Sequence, residues 1–318
     1  MNPRRLGLAC LGLLAACRAE PPSSTDAGVD ASRVADVATE GPPPYPSQVR
    51  VATFNVHRFF DPTCDSGRCG AGDYEELPSR ADFARRADEL ARAIERLDAD
   101  VVLLQEVETD AALRAISERL GAAWPTAVLG ETGAPASVDV AVVSRDALRA
   151  VRSHRDRALR RPDGTATVFS RDLLEVELDH AGRPVIAFAV HLRSRVDDDP
   201  GRRLAEAQAA HEVAVARAQE RPDAMVLLGG DCNDVPGSPP LEALEADGAL
   251  ERATRRTPDA EAVTYVFRGE GLALDHLFRA RDGAGEAAPA EVGVRWDAAP
   301  ARGYGGSDHA SLRAVYRW

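Results

Sequence analysis

The most constraining feature of this sequence is a series of apolar runs, each as long as a β-strand and each ending on a polar residue. Four of these runs, VRVATFN, VVLLQE, VIAFAVH and VLLGGD, end on Asn55, Glu106, His191 and Asp231. Continuous apolar runs are typical of strands that are buried on both faces. Since a rigid scaffold commonly presents its catalytic groups beside strand ends, these four ends predict one active site built from distant parts of the chain.

Hydrophobic periodicity predicts ten strands and four helices along the chain. The strands cover residues 49–56, 101–107, 138–144, 166–178, 185–192, 225–230, 263–267, 273–279, 291–295 and 311–317, and the helices cover 79–97, 110–120, 201–221 and 240–246. In the first helix, an apolar stripe repeats with the 3.6-residue period of a helix that lies on a sheet. Many strands and few helices, without strict alternation, predict an α/β fold of packed sheets with helices on the outer faces.

Composition limits the class of protein. The chain has 318 residues, of which 44% are apolar and 28% charged, which excludes a collagen-like, wholly disordered or polytopic membrane protein. No sequence repeat of 20 to 50 residues recurs, so residues 49–318 are predicted to form a single domain.

The charge balance is acidic. All 39 basic residues are arginine, and 51 acidic residues leave a formal net charge of −12, which is unusual for a dedicated nucleic-acid-binding domain. The negative net charge is still compatible with an enzyme that binds a polyanion through a bound metal and a local basic patch. Residues 145–161 contain seven arginines and two aspartates, and this segment is either a track for a phosphate backbone or a solvated connection between two strands.

The N-terminus has the pattern of an export signal. Residues 1–16 combine Arg4 and Arg5 with an apolar stretch that is too short to span a bilayer. The sequence LAAC ending at Cys17 resembles a bacterial lipobox, which implies cleavage before Cys17 and a lipid on its sulfur; ordinary signal cleavage is the alternative. Residues 17–48 have no helical or strand period and are predicted to be a disordered tether. The expected location is the cell envelope, on the outer membrane through the lipid, or the secreted fraction.

Cys10 lies within the predicted signal, and the other three cysteines belong to the domain. In an oxidising compartment, a disulfide between Cys64 and Cys69 is expected to close the short loop between them. Two free thiols are the alternative. Cys232 follows an apolar strand and is predicted to be a small core residue.

The polar strand ends have the chemistry of a hard-cation site. Oxygen donors from Asn55, Glu106, Asp231, Asn233 and Asp308 suit Mg²⁺, Mn²⁺ or Ca²⁺, whereas zinc sites usually use clustered histidine and cysteine. Histidines beside such a cation predict attack of water on a phosphate ester. The chain contains no Gly-x-Ser-x-Gly, Walker A or dinucleotide-binding pattern, which disfavours serine hydrolase, nucleotide-driven and redox functions.

Six motifs in this order give the chain a family resemblance: TFN55V, LQE106V, AVH191LRS, GD231CN233D, LD275HL and SD308H309. In these motifs, which extend over essentially residues 49–318, the sequence resembles the endonuclease/exonuclease/phosphatase superfamily. That superfamily includes pancreatic-type deoxyribonucleases, AP endonucleases, sphingomyelinases and inositol polyphosphate phosphatases.

The resemblance implies a four-layer α/β/β/α sandwich of two packed mixed sheets, with the site at one edge of both sheets. It also implies a role for each matched residue. Asn55 and Glu106 bind Mg²⁺ or Mn²⁺ with Asp308 close by, and His309 is the general base, oriented by Asp275. His191 is an acid or oxyanion stabiliser, Asp231 and Asn233 hold the nucleophile and a phosphate oxygen, and Arg171 contacts phosphate or is structural. The other histidines match no motif and are assigned to the surface or the core: His57, His154, His180, His211 and His276.

Two longer stretches are similar to bacterial extracellular nucleases: residues 53–62, followed by an arginine-rich helix and residues 97–108, and residues 264–276. The favoured function is therefore an exported, surface-anchored nuclease that hydrolyses nucleic acid or another phosphodiester, with the membrane contacted only through the lipid and no protein partner implied. One alternative is a phospholipid or small phosphomonoester hydrolase, and another is a catalytically silent surface binding module. The acidic insertion at residues 64–76 is either a Ca²⁺ site or a solvated loop.

Overall fold

The computed structural model describes residues 47–297 and 303–318. The predicted export signal, the predicted lipid attachment at Cys17 and all but the last two residues of the predicted tether lie outside the described residues.

The first large sheet has six strands. They are β1 (Gln48–Phe59), β2 (Val101–Val107), β3 (Thr126–Gly130), β4 (Asp139–Ser144), β15 (Glu291–Arg295) and β16 (Ser311–Arg317), in the order β15-β16-β1-β2-β4-β3. Strands β1 and β2 are parallel, and the other neighbouring pairs are antiparallel.

The second large sheet also has six strands. They are β5 (Ala147–Ser153), β8 (Leu174–His180), β9 (Arg183–His191), β10 (Met225–Asp231), β11 (Leu250–Arg252) and β14 (Asp275–Ala280), in the order β11-β14-β10-β9-β8-β5. Strands β9 and β10 are the parallel pair here. Two small hairpins complete the strands: β6 (Leu159–Arg160) with β7 (Ala166–Thr167), and β12 (Tyr265–Phe267) with β13 (Glu270–Leu272).

Four α-helices follow the predicted segments closely: α1 (Arg80–Arg96), α2 (Asp110–Leu120), α3 (Pro200–Glu220) and α4 (Pro239–Leu244). The side chains of Ser79, Thr109 and Asp199 each accept a backbone N–H bond at the start of α1, α2 and α3, which satisfies a donor that the helix itself leaves free. Among the described residues, no helix combines the length and the apolar character that a membrane crossing requires.

Three apolar layers hold the elements together. One lies between the first sheet and helices α1 and α2, another between the second sheet and helices α3 and α4, and the third between the two sheets. Along β1, for example, Val49 and Val51 face the other sheet whereas Ala52 and Phe54 face the helices, as the two-residue period of a strand requires. The fold is therefore the predicted α/β/β/α sandwich of two mixed sheets.

Strand direction brings the polar ends to one edge. The parallel pairs β1–β2 and β9–β10 each bring two carboxyl ends together, and the antiparallel strand β14 begins where β10 ends, with Asp275 opposite Asp231. Strand β16 runs antiparallel to β1, so the segment that leads into it, including His309, reaches the same edge. Four strand ends and two strand starts thus meet in space.

Five strands were not predicted, namely β3, β5, β6, β11 and β13, and one prediction was too long. Strands β3, β5 and β11 are edge strands of the large sheets, and β6 and β13 are short arms of the small hairpins. Strand β5 is largely exposed with arginines along it, so it lacks the apolar run that marks a buried strand. The strand predicted at 166–178 is interrupted, because residues 168–173 leave the pairing between β7 and β8. The segment 145–161 is consequently an edge strand and a short hairpin arm, not a plain connection.

A glycine in β10 gives a stability prediction. Gly230 has φ +153°, and a Cβ there would lie 1.7 Å from the carbonyl oxygen of Val190. We expect Gly230→Ala to lower the free energy of unfolding by about 3 kcal/mol or more, because backbone of the neighbouring strand must move. The denaturant midpoint measures this loss. Gly293→Ala in β15 is the matched control, since a Cβ there meets nothing within 4 Å; equal midpoints for the two variants would contradict the prediction.

Candidate active site

The shared edge of the two sheets opens into a cavity of about 550 Å³. Most of the predicted site residues line it: Glu106, Arg171, His191, Asp231, Asn233, Asp308 and His309. Asn55 and Asp275 lie directly behind this wall, each hydrogen-bonded to a residue that lines it. The fold therefore brings all the predicted catalytic, metal-binding and substrate-binding residues of the domain to one place.

Asn55 joins the two sheets at the base of the cavity. Its amide nitrogen donates to Glu106 Oε1 at 3.2 Å and to Asp231 Oδ2 at 3.1 Å. Its amide oxygen accepts the His57 backbone N–H at 3.0 Å. Asn55 thus fixes the separation of two carboxylates from different sheets, and its oxygen keeps a second lone pair that a cation could use.

Glu106 reaches the cavity because the backbone is irregular. It lies in a register shift between Gln105 and Val107, with φ +68°, which is uncommon for a residue with a side chain. A bulge of this kind redirects one side chain, and strained backbone is often found at functional sites. The carboxylate is held by Asn55 and, through Oε2, by the backbone N–H of Arg58 at 2.8 Å.

His309 and Asp275 form a buried pair. The His309 Nδ1 lies 2.8 Å from Asp275 Oδ2, which leaves Nε2 directed at Asp231 Oδ2, 3.9 Å away. Burial disfavours the charged form of His309 and lowers its pKa. The carboxylates of Asp275, Asp231 and Asp308 favour the charged form, and the net result raises the pKa of His309 to about 10. An imidazole oriented by a buried carboxylate is the arrangement of a general base or acid.

The neighbours of this pair fix its position. Thr264 Oγ1 accepts the backbone N–H of Asp275 at 3.0 Å, and Ser307 Oγ accepts that of His309 at 3.0 Å. The Tyr265 ring packs on the His309 ring with centroids 4.7 Å apart. The backbone of both residues is thus anchored, and the His309 ring is packed on one face.

His191 lies on the opposite side of Asp231. Its Nε2 is 3.6 Å from Asp231 Oδ2, and its Nδ1 is buried without a hydrogen-bond partner in the described structure. Burial, and after it the positive charge of Arg171, holds the pKa of His191 well below its usual range. His191 is therefore neutral at physiological pH and can offer one N–H to an oxygen in the cavity.

Asp231 and Asn233 form a compact turn after β10. Asp231 Oδ1 accepts the Asn233 backbone N–H at 2.8 Å, and the Asn233 side chain donates to the Leu192 carbonyl at 3.1 Å. Asn233 has φ +50°, a conformation that asparagine tolerates better than most residues. The turn fixes the carboxylate between the two histidines.

Asp308 has a partner that the sequence did not reveal. Its Oδ1 lies 2.8 Å from Nδ1 of His57, and both side chains are almost half exposed in the cavity. The assignment of His57 to the surface or the core was therefore incomplete. Its position two residues after Asn55 was the available signal. His154, His180, His211 and His276 bond to groups away from the cavity.

Arg171 carries a free positive charge into the cavity. In the described residues no carboxylate pairs with its guanidinium, whose Nε donates to the Val138 carbonyl and whose buried Nη1 has no partner. Buried donors are nearly always satisfied in folded proteins, so Nη1 indicates a missing acceptor. An anionic substrate group would supply it.

The arginine-rich segment 145–161 does not form a continuous cationic track. Four of its arginines pair with carboxylates: Arg149 with Asp179, Arg152 with Glu175, Arg157 with Glu212 and Arg161 with Asp199. Arg145 packs over the Trp124 ring. Most of the positive charge counted in the sequence is thus neutralised within the protein.

The donor set fits a hard divalent cation. Carboxylates of Glu106, Asp231 and Asp308 line one cavity, and donor atoms of Asp231, Asp275 and His309 all lie within 4.8 Å of one another. Burial raises the pKa of Asp231, and the negative charge of Asp275 adds to this. The nearby His309 lowers it, and the net result is a pKa of about 7. Crowded carboxylates of this kind are stabilised by a cation, and oxygen donors suit Mg²⁺, Mn²⁺ or Ca²⁺.

The cysteines take no part in this site. Cys64 and Cys69 are joined by a disulfide, so their sulfurs are not available as metal ligands beside Glu75. Cys232 is a buried free thiol. The loop closed by the disulfide leads to Tyr74, which lines the cavity.

Comparison with known families identifies the chain. The model of the Endonuclease/Exonuclease/phosphatase family matches residues 52–309. The chain belongs to this family. Members of the family are typically metal-dependent hydrolases of phosphoric esters, which agrees with the hard oxygen donors and the histidine pair of this member. No curated protein matches its sequence.

Solved structures share the fold. One is D. rerio TDP2 complexed with a single strand DNA product, with 15% identity and a TM-score of 0.59 over 86% of this chain and all of that chain. Beta toxin from Staphylococcus aureus has 16% identity and a TM-score of 0.56 over 84% and 99% of the two chains. An endonuclease/exonuclease/phosphatase from Beutenbergia cavernae has 21% identity and a TM-score of 0.58 over 86% and 72%.

Proposed function

We propose that this protein is a metal-dependent phosphodiester hydrolase that cleaves nucleic acid. The single observation that carries the proposal is the buried His309–Asp275 pair, whose imidazole lines the same cavity as the carboxylates of Glu106, Asp231 and Asp308. An oriented base beside a set of hard oxygen ligands suits hydrolysis of a phosphate ester.

His309 is the general base in this proposal. Its Nε2 takes a proton from the attacking water, while Asp275 keeps Nδ1 protonated and balances the charge that develops on the ring. Asp231, 3.9 Å from Nε2, accepts a hydrogen bond from the same water and orients it. His309 acts as a base only when it is unprotonated, and the positive charge of a cation held by Asp308 would favour that state.

Glu106 and Asp308 would hold the divalent cation, with Asn55 positioning Glu106. When bound, the cation would neutralise charge on the phosphate and on the leaving oxygen. His191 and Arg171 offer N–H donors on the other side of Asp231, where they stabilise the negative charge of the transition state. Asn233 keeps Asp231 in position and is available to a phosphate oxygen.

The substrate test compares several phosphate esters under the same conditions. The protein without residues 1–16 is incubated with plasmid DNA, RNA, a small phosphodiester, sphingomyelin and inositol phosphates, in Mg²⁺, Mn²⁺, Ca²⁺ or chelator. We expect metal-dependent cleavage of a nucleic acid. The D. rerio TDP2 complex with a DNA product supports this choice of substrate. Hydrolysis of sphingomyelin or inositol phosphates with inert DNA and RNA would refute it.

The proposed location follows from the N-terminal pattern. We propose that residues 1–16 direct export and that Cys17 carries a lipid, which leaves the domain at the surface of the cell envelope. Mass spectrometry of the N-terminal peptide tests this. A mature N-terminus that does not begin with a lipid-modified Cys17 would contradict the anchor.

A further inference from the structure

A second cavity of about 340 Å³ adjoins the proposed catalytic one. The two cavities share Tyr74, Arg171 and Arg193 in their linings, so together they form one trough that runs past the proposed scissile position. Arg155 lines only the second cavity. This extension is not needed for hydrolysis of a small ester, which the first cavity alone accommodates.

Three of the five arginines that line the trough, Arg155, Arg171 and Arg193, lack a close carboxylate partner, whereas Arg58 and Arg195 in the first cavity pair with Glu76 and Asp234. Elsewhere, arginines such as Arg152 and Arg217 pair with buried carboxylates. In the described residues, the guanidinium groups of Arg171 and Arg193 pair with no carboxylate; Arg193 donates to the Asp197 backbone carbonyl. Arg155 donates to the Glu131 backbone carbonyl at 3.3 Å, and its nearest carboxylate oxygen, on the exposed Asp156, is 3.9 Å away.

Asp139 is the acidic residue in the lining of the second cavity. Its Oδ2 already accepts bonds from the Thr132 backbone and from the Ser137 hydroxyl. Burial also raises the pKa of Asp139, and one acidic side chain stands against three arginines in this lining. The positive charge of the arginines therefore dominates this cavity, in a protein whose overall charge is −12.

We propose that the second cavity binds a phosphate next to the scissile one, so that the substrate is a nucleic-acid strand of at least two phosphates. The inference rests on the proposed function and narrows its substrate class. Arginine is suited to phosphate because its planar guanidinium donates two parallel hydrogen bonds. A phosphomonoester or a phospholipid head group with a single phosphate leaves Arg155 without an anion, whereas each added nucleotide supplies one.

The test is a series of oligonucleotides that differ in the number of phosphates. With the purified protein and Mg²⁺ or Mn²⁺, we expect kcat/KM to rise about tenfold when a substrate gains a phosphate beside the scissile one. Arg155→Gln should reduce that gain about tenfold, because one phosphate contact is lost. Arg160→Gln is the matched control, since Arg160 is exposed on the same segment, bonds only to the Gly164 carbonyl and lines neither cavity.

Binding without cleavage supplies a second measurement. In chelator, affinity for a labelled single strand is measured as a function of salt. Arg155→Gln should lower the slope of log affinity against log salt by about 1, whereas Arg160→Gln should not. Rates that do not depend on chain length, together with equal salt slopes for both variants, would overturn the second phosphate site and leave the nuclease proposal intact. Cleavage of small diesters with neither cleavage nor binding of any strand would overturn both.

Discussion

Replacement of His309 by glutamine is expected to lower kcat on the preferred nucleic acid about 10³-fold, within the range found for loss of a general base. Glutamine is similar in size, but it cannot take a proton from water. We expect KM to change little, because His309 contacts the water and not the bulk of the substrate. Initial rates with saturating metal measure the effect.

The control for this variant replaces a histidine that lies outside the site. His211→Gln removes an imidazole that bonds to the Leu244 carbonyl and lies away from the cavity. Its kcat should stay within twofold of the unmodified protein, and thermal unfolding of both variants shows that the fold persists. Undiminished kcat in a His309→Gln protein freed of contaminating activity would eliminate His309 as the base.

Loss of the cation, or of its main ligand, is expected to have the second large effect. Chelator should lower activity at least 10²-fold, and excess Mg²⁺ or Mn²⁺ should restore it. Glu106→Gln should raise the metal concentration for half-maximal activity and lower kcat about 10²-fold, because an amide is a weaker ligand than a carboxylate. The measurement is a metal titration of activity, with Mn²⁺ binding followed independently.

Glu118→Gln is the matched control for Glu106. Glu118 is exposed on helix α2, so its metal titration should coincide with that of the unmodified protein. Activity that survives chelation, or identical titrations for Glu106→Gln and Glu118→Gln, would show that Glu106 binds no catalytic metal.

The sequence was sufficient for the framework because the relevant signals are local. Apolar runs ending on Asn55, Glu106, His191 and Asp231 predict buried strands, and the geometry of parallel neighbours places such ends together. The sandwich and its family were predicted from these motifs and are confirmed.

Other features depend on long-range packing and could not be predicted. Strand β5 is recognisable only through its pairing with β8, because its own sequence is exposed and rich in arginine. A count of charges could not show that Arg149 pairs with Asp179 while Arg171 has no carboxylate partner among the described residues. The contacts of His57 with Asp308 and of Tyr265 with His309 join segments far apart in the chain. Such pairs are fixed by register and by loop paths, not by any local pattern.

The bond from Asn55 to Asp231 links one half of the sandwich to the other. Glu106 belongs to the first half and Asp275 to the second, so neither half alone holds both the cation ligands and the oriented base. A chain in which the two sheets have not met therefore lacks a complete catalytic set, and contact between the halves is a condition of hydrolysis.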